Sequence, residues 1–544
     1  MTRMSGAMAI LQSLMGHGVD TIFGLPGGQL DHFFDAMYKE GDKVRFIGTR
    51  HEQGAAYMAF GYARSTGRPS VYTVVPGPGL LNTTAAICTA YACNSPVMCL
   101  TGQIPSTSIG KGIGELHELP DQLATMKTLT KWAARIDHPA QAPALVAEAF
   151  AQMTNGRQRP VELEMAMDIM GMDSDVTAFA PYAPAPLLPD PDAILEAVKL
   201  IGKAKYPMIY VGGGALDASP QVQLLAEMLG APVVSFRSGR GVVSDDHPLG
   251  FTLPAGHRIW PKVDLVIGIG SRMVEPLLHW GTDSNLKVLR IDTDPVEITR
   301  FHRPDVAILS DATLALAALL PVLDRTLGKP ADRADEFAAV KASVLADIQK
   351  VQPQMSYLNV LREELPRDGI FCDEITQCGF TSWYGFPVYE PRQHINCSYQ
   401  GTLGYGFATA LGVKVAHPDK PVISIAGDGG FMFTMQELAT AVQYNIGLKT
   451  IIFNSNSFTN VQRQQREWFG NRIIGSDLHN PDFVKMAESF GAAGYRAETP
   501  EELRAVIRRA LAEPGPAIIE VPVPNTMATP WEFIMMPQNR GVTA

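Results

Sequence analysis

Residues 421–458 read "PVISIAGDGGFMFTMQELATAVQYNIGLKTIIFNSNSF". Two apolar runs, "PVISIA" and "KTIIF", each end in a polar turn: Gly427-Asp428-Gly429-Gly430 after the first, Asn454-Ser455-Asn456-Ser457 after the second. Short apolar runs bounded by turn residues predict buried strands. Asp428 and Ser455 stand 455 − 428 = 27 residues apart, room for a strand end, a helix and a return along a parallel neighbour. That topology sets both loops side by side at the carboxyl ends of their strands, where open α/β sheets hold ligands. An acid next to glycines and small oxygen-bearing side chains suits Mg²⁺ bound to a diphosphate, which takes few protein oxygens and completes its octahedron with phosphate oxygens. Gly429 and Gly430 allow backbone N–H groups to approach phosphates without Cβ hindrance. An Asp-Gly turn beside a polar loop is the plain alternative.

The same alternation of short apolar runs and helical segments extends over the chain. "TIFGLP", "VRFIGT", "SVYTVVPGPG" and "VMCLTGQ" predict strands in a first block, and Ser5 caps a helix carrying Ala7, Ile10, Leu11 and Leu14. "PMIYVGGGAL", "APVVSF", "DLVIGIGS" and "KVLRID" do so in a second, "IFCDE", "PVISIAGDG", "KTIIFNS" and "PAIIEVPV" in a third. The expectation is an α/β protein of three doubly wound parallel-sheet domains, at 1–178, 190–330 and 350–544. The Pro- and Ala-rich stretch 180–192 reads as a linker and 526–544 as an irregular tail. "VGGGA" lacks the rest of a dinucleotide fingerprint and reads as a structural turn.

Composition narrows the partners. With 46% apolar and 18% charged residues, the 544-residue chain has the make-up of a well-buried globular protein. A net charge of −10 argues against nucleic acid or an anionic membrane as partner, and no apolar stretch reaches transmembrane length. Six cysteines without zinc-site spacing read as reduced thiols, pointing to a cytoplasmic protein with no secretion signal.

The Gly-Asp-Gly turn, its Asn-rich partner loop and the stretches "FGLPGGQLDHFFDAM", "RHEQGAAYMAFGYARSTG" and "GTLGYGFATALGVKVAHPDKP" occur in one order. Over nearly its full length the chain thus resembles the thiamine diphosphate (ThDP) enzymes of the acetolactate synthase, pyruvate oxidase and benzoylformate decarboxylase group. The resemblance implies a pyrimidine-binding first domain, a middle Rossmann-like domain and a diphosphate-binding third. It implies a site shared between subunits of a homodimer or homotetramer. Glu52 matches the carboxyl that bonds the pyrimidine N1′ and promotes the imino tautomer that deprotonates thiazolium C2. Leu403 matches the bulky residue that keeps the cofactor bent, and Gly401 offers its carbonyl to the 4′ amine. Gly427, Asp428, Gly429, Gly430, Thr376 and Gln377 fall at the diphosphate, with Mg²⁺ on Asp428, Ser455 and the Ser457 carbonyl. The family usually has Asn at position 455, so Ser455, a water, Asn454 or Asn456 is left to complete the metal site.

The pocket positions depart from acetolactate synthases. Gly27 and Gln103 fall at the substrate pocket, and His117 stands where a pocket Gln is expected, as an acid, a base or a carboxylate partner; a loop imidazole bonded to backbone is its plain reading. Asn460 and Gln464 replace the apolar Met and Trp that select a small aliphatic acceptor, which implies a more polar 2-oxo acid than pyruvate. Arg463 and Arg466 are open as carboxylate partners or as a solvated helix face. Decarboxylation of a 2-oxo acid follows, with aldehyde release or carboligation as rival outcomes. A lyase for a 2-hydroxyacyl or oxalyl thioester or a hydroxyketone, and a non-catalytic relic of the fold, are the alternatives. FAD stays open with absence favoured: acetolactate synthases and pyruvate oxidases hold flavin in the middle block, benzoylformate decarboxylase does not, and the arginine- and glycine-bearing segments here also occur in flavin-free relatives.

Overall fold

The computed structural model describes residues 1–541; the last three residues of the expected tail lie outside them. Three six-stranded, all-parallel sheets carry the chain. The first contains Thr21–Gly24, Arg45–Gly48, Ser70–Val74, Val97–Gln103, Trp132–Ile136 and Val161–Ala166. The third contains Ile370–Cys372, His394–Ile395, Val422–Gly427, Lys449–Asn454, Ala493–Arg496 and Ala517–Pro522. Numbered in chain order within each sheet, both run 2-1-3-4-6-5 across the sheet, a duplicated architecture that the sequence does not advertise. The middle sheet, from Pro207–Val211 to Val306–Leu309, runs 3-2-1-4-5-6, the doubly wound nucleotide-binding order. The central strands, such as Ser70–Val74, Val97–Gln103, Pro207–Val211, Leu265–Ile269 and Val422–Gly427, are buried on both faces and read as near-continuous apolar runs, whereas edge strands such as Val306–Leu309 and Ala493–Arg496 are partly exposed.

Ser5 caps the helix Gly6–Gly16 as expected, its side chain accepting the Met8 N–H at 3.2 Å. The residues before it form a strand that the sequence reading missed: Thr2–Ser5 pairs antiparallel with Asp173–Val176. A four-residue edge pairing so far along the chain has no local signal.

The cores run between domains. Phe23, Tyr57 and Phe60 of the first pack in one cluster with Ile370, Phe407 and Phe431 of the third. The closest approach is helix Glu52–Thr66 against helix Gly406–Ala416, where a Cβ on Gly61 would lie 2.0 Å from the Thr409 carbonyl oxygen and one on Gly412 1.9 Å from that of Met58. The tail is irregular and returns to the middle domain, where buried Arg540 pairs with Asp283 at 2.9 Å and donates to the Trp260 carbonyl at 3.2 Å.

Candidate active site

In a 2-1-3-4-6-5 sheet the strand order reverses between strands 1 and 3, and the loops leaving those two strands frame a crevice. In the third sheet these loops hold Thr376–Gln377 and Gly427–Gly430; in the first they hold Gly27–Gln29 and Gly77–Gly79. The residues expected at the diphosphate thus leave strands 1 and 3 of the third sheet, whereas Glu52, expected at the pyrimidine, opens the helix after strand 2 of the first.

At the third sheet, Asp428 opens a short helical turn and is 2% exposed. Burial pushes its carboxyl above the ordinary range, against hydrogen bonds from Asn480 and the Gly429 and Ser457 N–H groups. Oδ2 accepts from Asn480 Nδ2 at 2.8 Å and from the Ser457 N–H at 3.3 Å. The same Asn480 amide donates to Asn454 Oδ1 at 3.0 Å and Asn456 Oδ1 at 3.2 Å, so three side-chain oxygens converge on one position. Ser455 Oγ faces its own loop, 3.1 Å from the Ser457 carbonyl oxygen and 2.7 Å from Thr459 Oγ1. Asn480 lies 480 − 428 = 52 residues after Asp428 in a segment without motif character, and the sequence reading missed it.

Thr376 caps the helix Gln377–Gly385 through the Gly379 N–H at 2.8 Å, and its Cγ2 lies 3.1 Å from where a Gly427 Cβ would stand. Gln377 is buried with its Oε1 unpartnered. Leu403 and Glu374 both reach Gly430, at 3.3 Å from the position of a Cβ there. Gly401 adopts φ +63° with open space around it, as a backbone presenting its carbonyl to a ligand requires. Gly429 has a further reason to lack a side chain, since a Cβ would come within 2.4 Å of the Phe458 ring.

Glu374 was not singled out from sequence. Its buried carboxylate gathers the N–H groups of Ile375 (3.1 Å), Gly404 (3.1 Å) and Gly406 (2.8 Å), tying the strand end to the Leu403 loop. Burial dominates and pushes its pKa up to about 7.

At the first sheet, Glu52 is the first residue of its helix, half-buried, with Oε2 accepting from Asn82 Nδ2 at 3.0 Å and Oε1 3.4 Å from where a Gly79 Cβ would be. The chain entering that helix is held from the third domain. Buried Glu437 accepts the N–H groups of Arg50, at 3.1 Å, and His51, at 2.9 Å. Gly27 packs so closely on Val75 that a Cβ would lie 2.4 Å from its Cγ1. Gln103 is turned inward, its amide on buried Glu164 at 3.3 Å and its oxygen on the Ile104 N–H at 2.8 Å. His117 is half-buried with φ +70°, and its Nδ1 lies 3.0 Å from Gln29 Oε1.

On helix Thr459–Trp468, Asn460 Oδ1 accepts from Trp531 Nε1 at 3.1 Å, and Gln464 is half-buried. The two arginines of this helix are both paired within the chain, Arg463 along the helix surface. Arg463 pairs with Glu467 at 2.5 Å, and Arg466 donates to the Asn525 carbonyl at 3.1 Å and to Gln462.

Comparison with known proteins agrees with this layout. The N-terminal thiamine pyrophosphate (TPP) binding domain model of thiamine pyrophosphate enzymes matches residues 4–125, the central domain model 194–319 and the C-terminal TPP-binding domain model 374–521. The chain belongs to the thiamine pyrophosphate enzyme family. A probable 2-ketoarginine decarboxylase of Pseudomonas aeruginosa is 32% identical over 95% of this enzyme and 94% of its own length. A probable acetolactate synthase large subunit of Methanocaldococcus jannaschii is 32% identical over 97% and 93%. The Escherichia coli acetolactate synthase isozyme 1 large subunit is 28% identical over 95% and 94%.

The residues present fit the cofactor. A buried acid without a cationic partner, beside Asn454 and Asn456 oxygens that now share only the Asn480 amide, is a group that a diphosphate-bound metal ion would satisfy. The described residues hold no cluster of three or more His, Cys, Asp or Glu, so Mg²⁺ here would depend on Asp428, neutral oxygens and phosphate. A second crevice, at the switch point of the middle sheet, is lined by Gly212, Gly214, Arg237, Gly270, Arg272 and Arg392. Its glycines also serve the fold, since a Cβ on Gly212 would lie 2.4 Å from the Gly270 carbonyl oxygen. No helix among the described residues is long and apolar enough to cross a membrane, and all six cysteines are free thiols.

Proposed function

We propose that this enzyme uses thiamine diphosphate and Mg²⁺ to decarboxylate a polar 2-oxo acid, with a homodimer or homotetramer as its working state in the cytoplasm. The observation that carries the polar substrate is the pocket wall. By the resemblance, Asn460, Gln464 and His117 stand where acetolactate synthases present Met, Trp and Gln; Trp531 engages the Asn460 oxygen, and the Gln464 amide and His117 Nε2 would be left unpaired beside an aliphatic substrate. The relative named a probable 2-ketoarginine decarboxylase, whose substrate ends in a polar guanidino group, favours the same class.

Thiamine diphosphate, when bound, supplies the carbon nucleophile and the electron sink that let CO₂ leave a 2-oxo acid. Asp428, with Ser455, the Ser457 carbonyl and the neighbouring Asn454 and Asn456 oxygens, is the set that would hold the metal. Thr376, Gln377 and Gly427–Gly430 would hold the diphosphate, and Gly401 and Leu403 the aminopyrimidine–thiazolium bend. Glu52 keeps its carboxyl beside the Gly77–Gly79 turn and would share a proton with the pyrimidine ring when the cofactor is bound. His117 takes up or gives a proton at the substrate, and Gly27 and Gln103 shape the wall behind it. Flavin has no part in this chemistry; a visible absorbance spectrum of the purified protein tests its absence.

The decisive measurement is CO₂ release from a panel of 2-oxo acids that includes guanidino- and amide-bearing members. Polar members are expected to release CO₂, and Glu52→Gln to lower the rate by at least about a hundredfold. Bound cofactor without CO₂ from any member would overturn decarboxylation and favour the thioester or hydroxyketone lyase. Carboligation is the second reading, favoured by the acetolactate synthase relatives, and product analysis separates it from aldehyde release.

A further inference from the structure

His117 lies in a backbone conformation that side-chain-bearing residues seldom adopt, φ +70°, and its surroundings hold it there. Its carbonyl oxygen sits on Gly77, where a Cβ would lie 2.3 Å away. The loop before it is gathered by Glu118, whose carboxylate accepts the N–H groups of Gly112 (2.9 Å), Gly114 (2.7 Å) and Glu115 (3.0 Å). This clamp on one exposed loop places the imidazole, which hydrogen-bonds a single side chain.

That side chain is Gln29, which is 4% exposed in the turn Gly28–Leu30 at the strand-order reversal. Gln29 Nε2 donates to the Leu116 carbonyl at 3.0 Å. A carbonyl oxygen only accepts, so this bond decides which end of the amide is which. The amide oxygen is left facing His117 Nδ1 at 3.0 Å. An amide oxygen also only accepts, so Nδ1 carries the hydrogen, and in the neutral ring Nε2 keeps its lone pair. Nε2 has no hydrogen-bond partner among the described residues.

We infer that Gln29 is a positioning residue that fixes His117 as its Nδ1–H tautomer, leaving Nε2 as the atom where a proton enters and leaves during turnover. Nδ1 keeps its proton throughout, donating it to the Gln29 oxygen. Free imidazole side chains favour the opposite tautomer, so the protein sets this choice. The inference rests on the reading of this crevice as the substrate pocket, but the tautomer exists in the protein whatever the reaction.

The test is ¹⁵N NMR of the histidine-labelled full chain at about pH 8, above the ordinary imidazole pKa of about 6.5. His117→Asn identifies the signals. A pyrrole-type Nδ1 and an imine-type Nε2 are expected in the parent, and the reverse assignment would overturn the inference. Gln29→Met keeps the volume and removes the acceptor, so its ring should move toward the Nε2–H form. Gln29→Glu restores an acceptor and should restore the Nδ1–H signature. On the substrate found active, Gln29→Met should lower kcat about tenfold or more with KM little changed, and Gln29→Glu should recover most of it. An unchanged tautomer in Gln29→Met would reject the assignment of that role to Gln29. A parent that releases no CO₂ would defeat the decarboxylase reading, while the NMR result would still decide the tautomer.

Discussion

Asp428 illustrates how much of the site one residue carries. Its carboxylate is 2% exposed, its neighbours supply N–H donors but no positive charge, and burial raises its pKa. A buried carboxylate so placed costs the free protein stability until a cation arrives. Asp428→Asn is therefore expected to weaken Mg²⁺-dependent cofactor binding by at least about tenfold, or about 1.4 kcal/mol. The cofactor-free variant should melt no lower than the parent. Calorimetric titration and a thermal scan measure the two, and a large loss of stability would mark Asp428 as a structural residue instead. This residue was legible in the sequence because its glycines and its strand are contiguous with it. Asn480 and Gln29 were not, because their significance lies in partners 52 and 88 residues away. The usual Asn of position 455 is the reverse case: sequence showed a gap there, and the converging Asn454, Asn456 and Asn480 groups show what surrounds it.

Among the elements, the strand ends were read well and their cross-ties poorly. Every quoted apolar run that predicted a strand is one, since strands buried on both faces advertise themselves by continuous hydrophobicity. The Thr2–Ser5 pairing and the identical strand orders of the outer sheets are relations between segments, and no segment encodes them alone. Glu374 is such a tie, joining the end of strand Ile370–Cys372 to the first N–H of helix Gly406–Ala416. Its pKa is raised from 4.5 to about 7, so the folded state binds its proton more tightly than the unfolded chain. The associated stability is fully present below the unfolded value and is lost as pH rises through about 7. Replacing this residue, Glu374→Gln, should flatten the fall in denaturation midpoint between those pH values. A parallel pH profile in the variant would show that another group titrates.

For the whole molecule, the question is which copies share a site. Glu52 bonds Asn82 of its own domain, and the helix it starts is fixed against the third domain by Gly61 and Gly412 at backbone contact. The proposed shared site would pair Glu52 of one chain with Asp428 of another. At a cofactor concentration that leaves the Asp428→Asn protein empty, Glu52→Gln and Asp428→Asn proteins should regain about a quarter of the parent rate after mixing and subunit exchange, because half the pairs would be mixed and each would carry one intact site. No recovery in a mixture shown to contain mixed pairs would place Glu52 and Asp428 of one chain in the same site.

The segment between the first and middle domains looks like an articulation, yet it is tied down at two points. The Tyr182 N–H donates to His17 at 2.9 Å on one side, and the Leu187 carbonyl accepts from Ser310 at 2.6 Å on the other. Beyond it, Arg157 binds Asp294 and Glu297 at 3.1 and 2.8 Å, and the returning tail locks Arg540 onto the middle domain. A protease that severed this strip would thus release nothing: the two polypeptide pieces would travel together through a sizing column, and the crevices they frame would keep their shape.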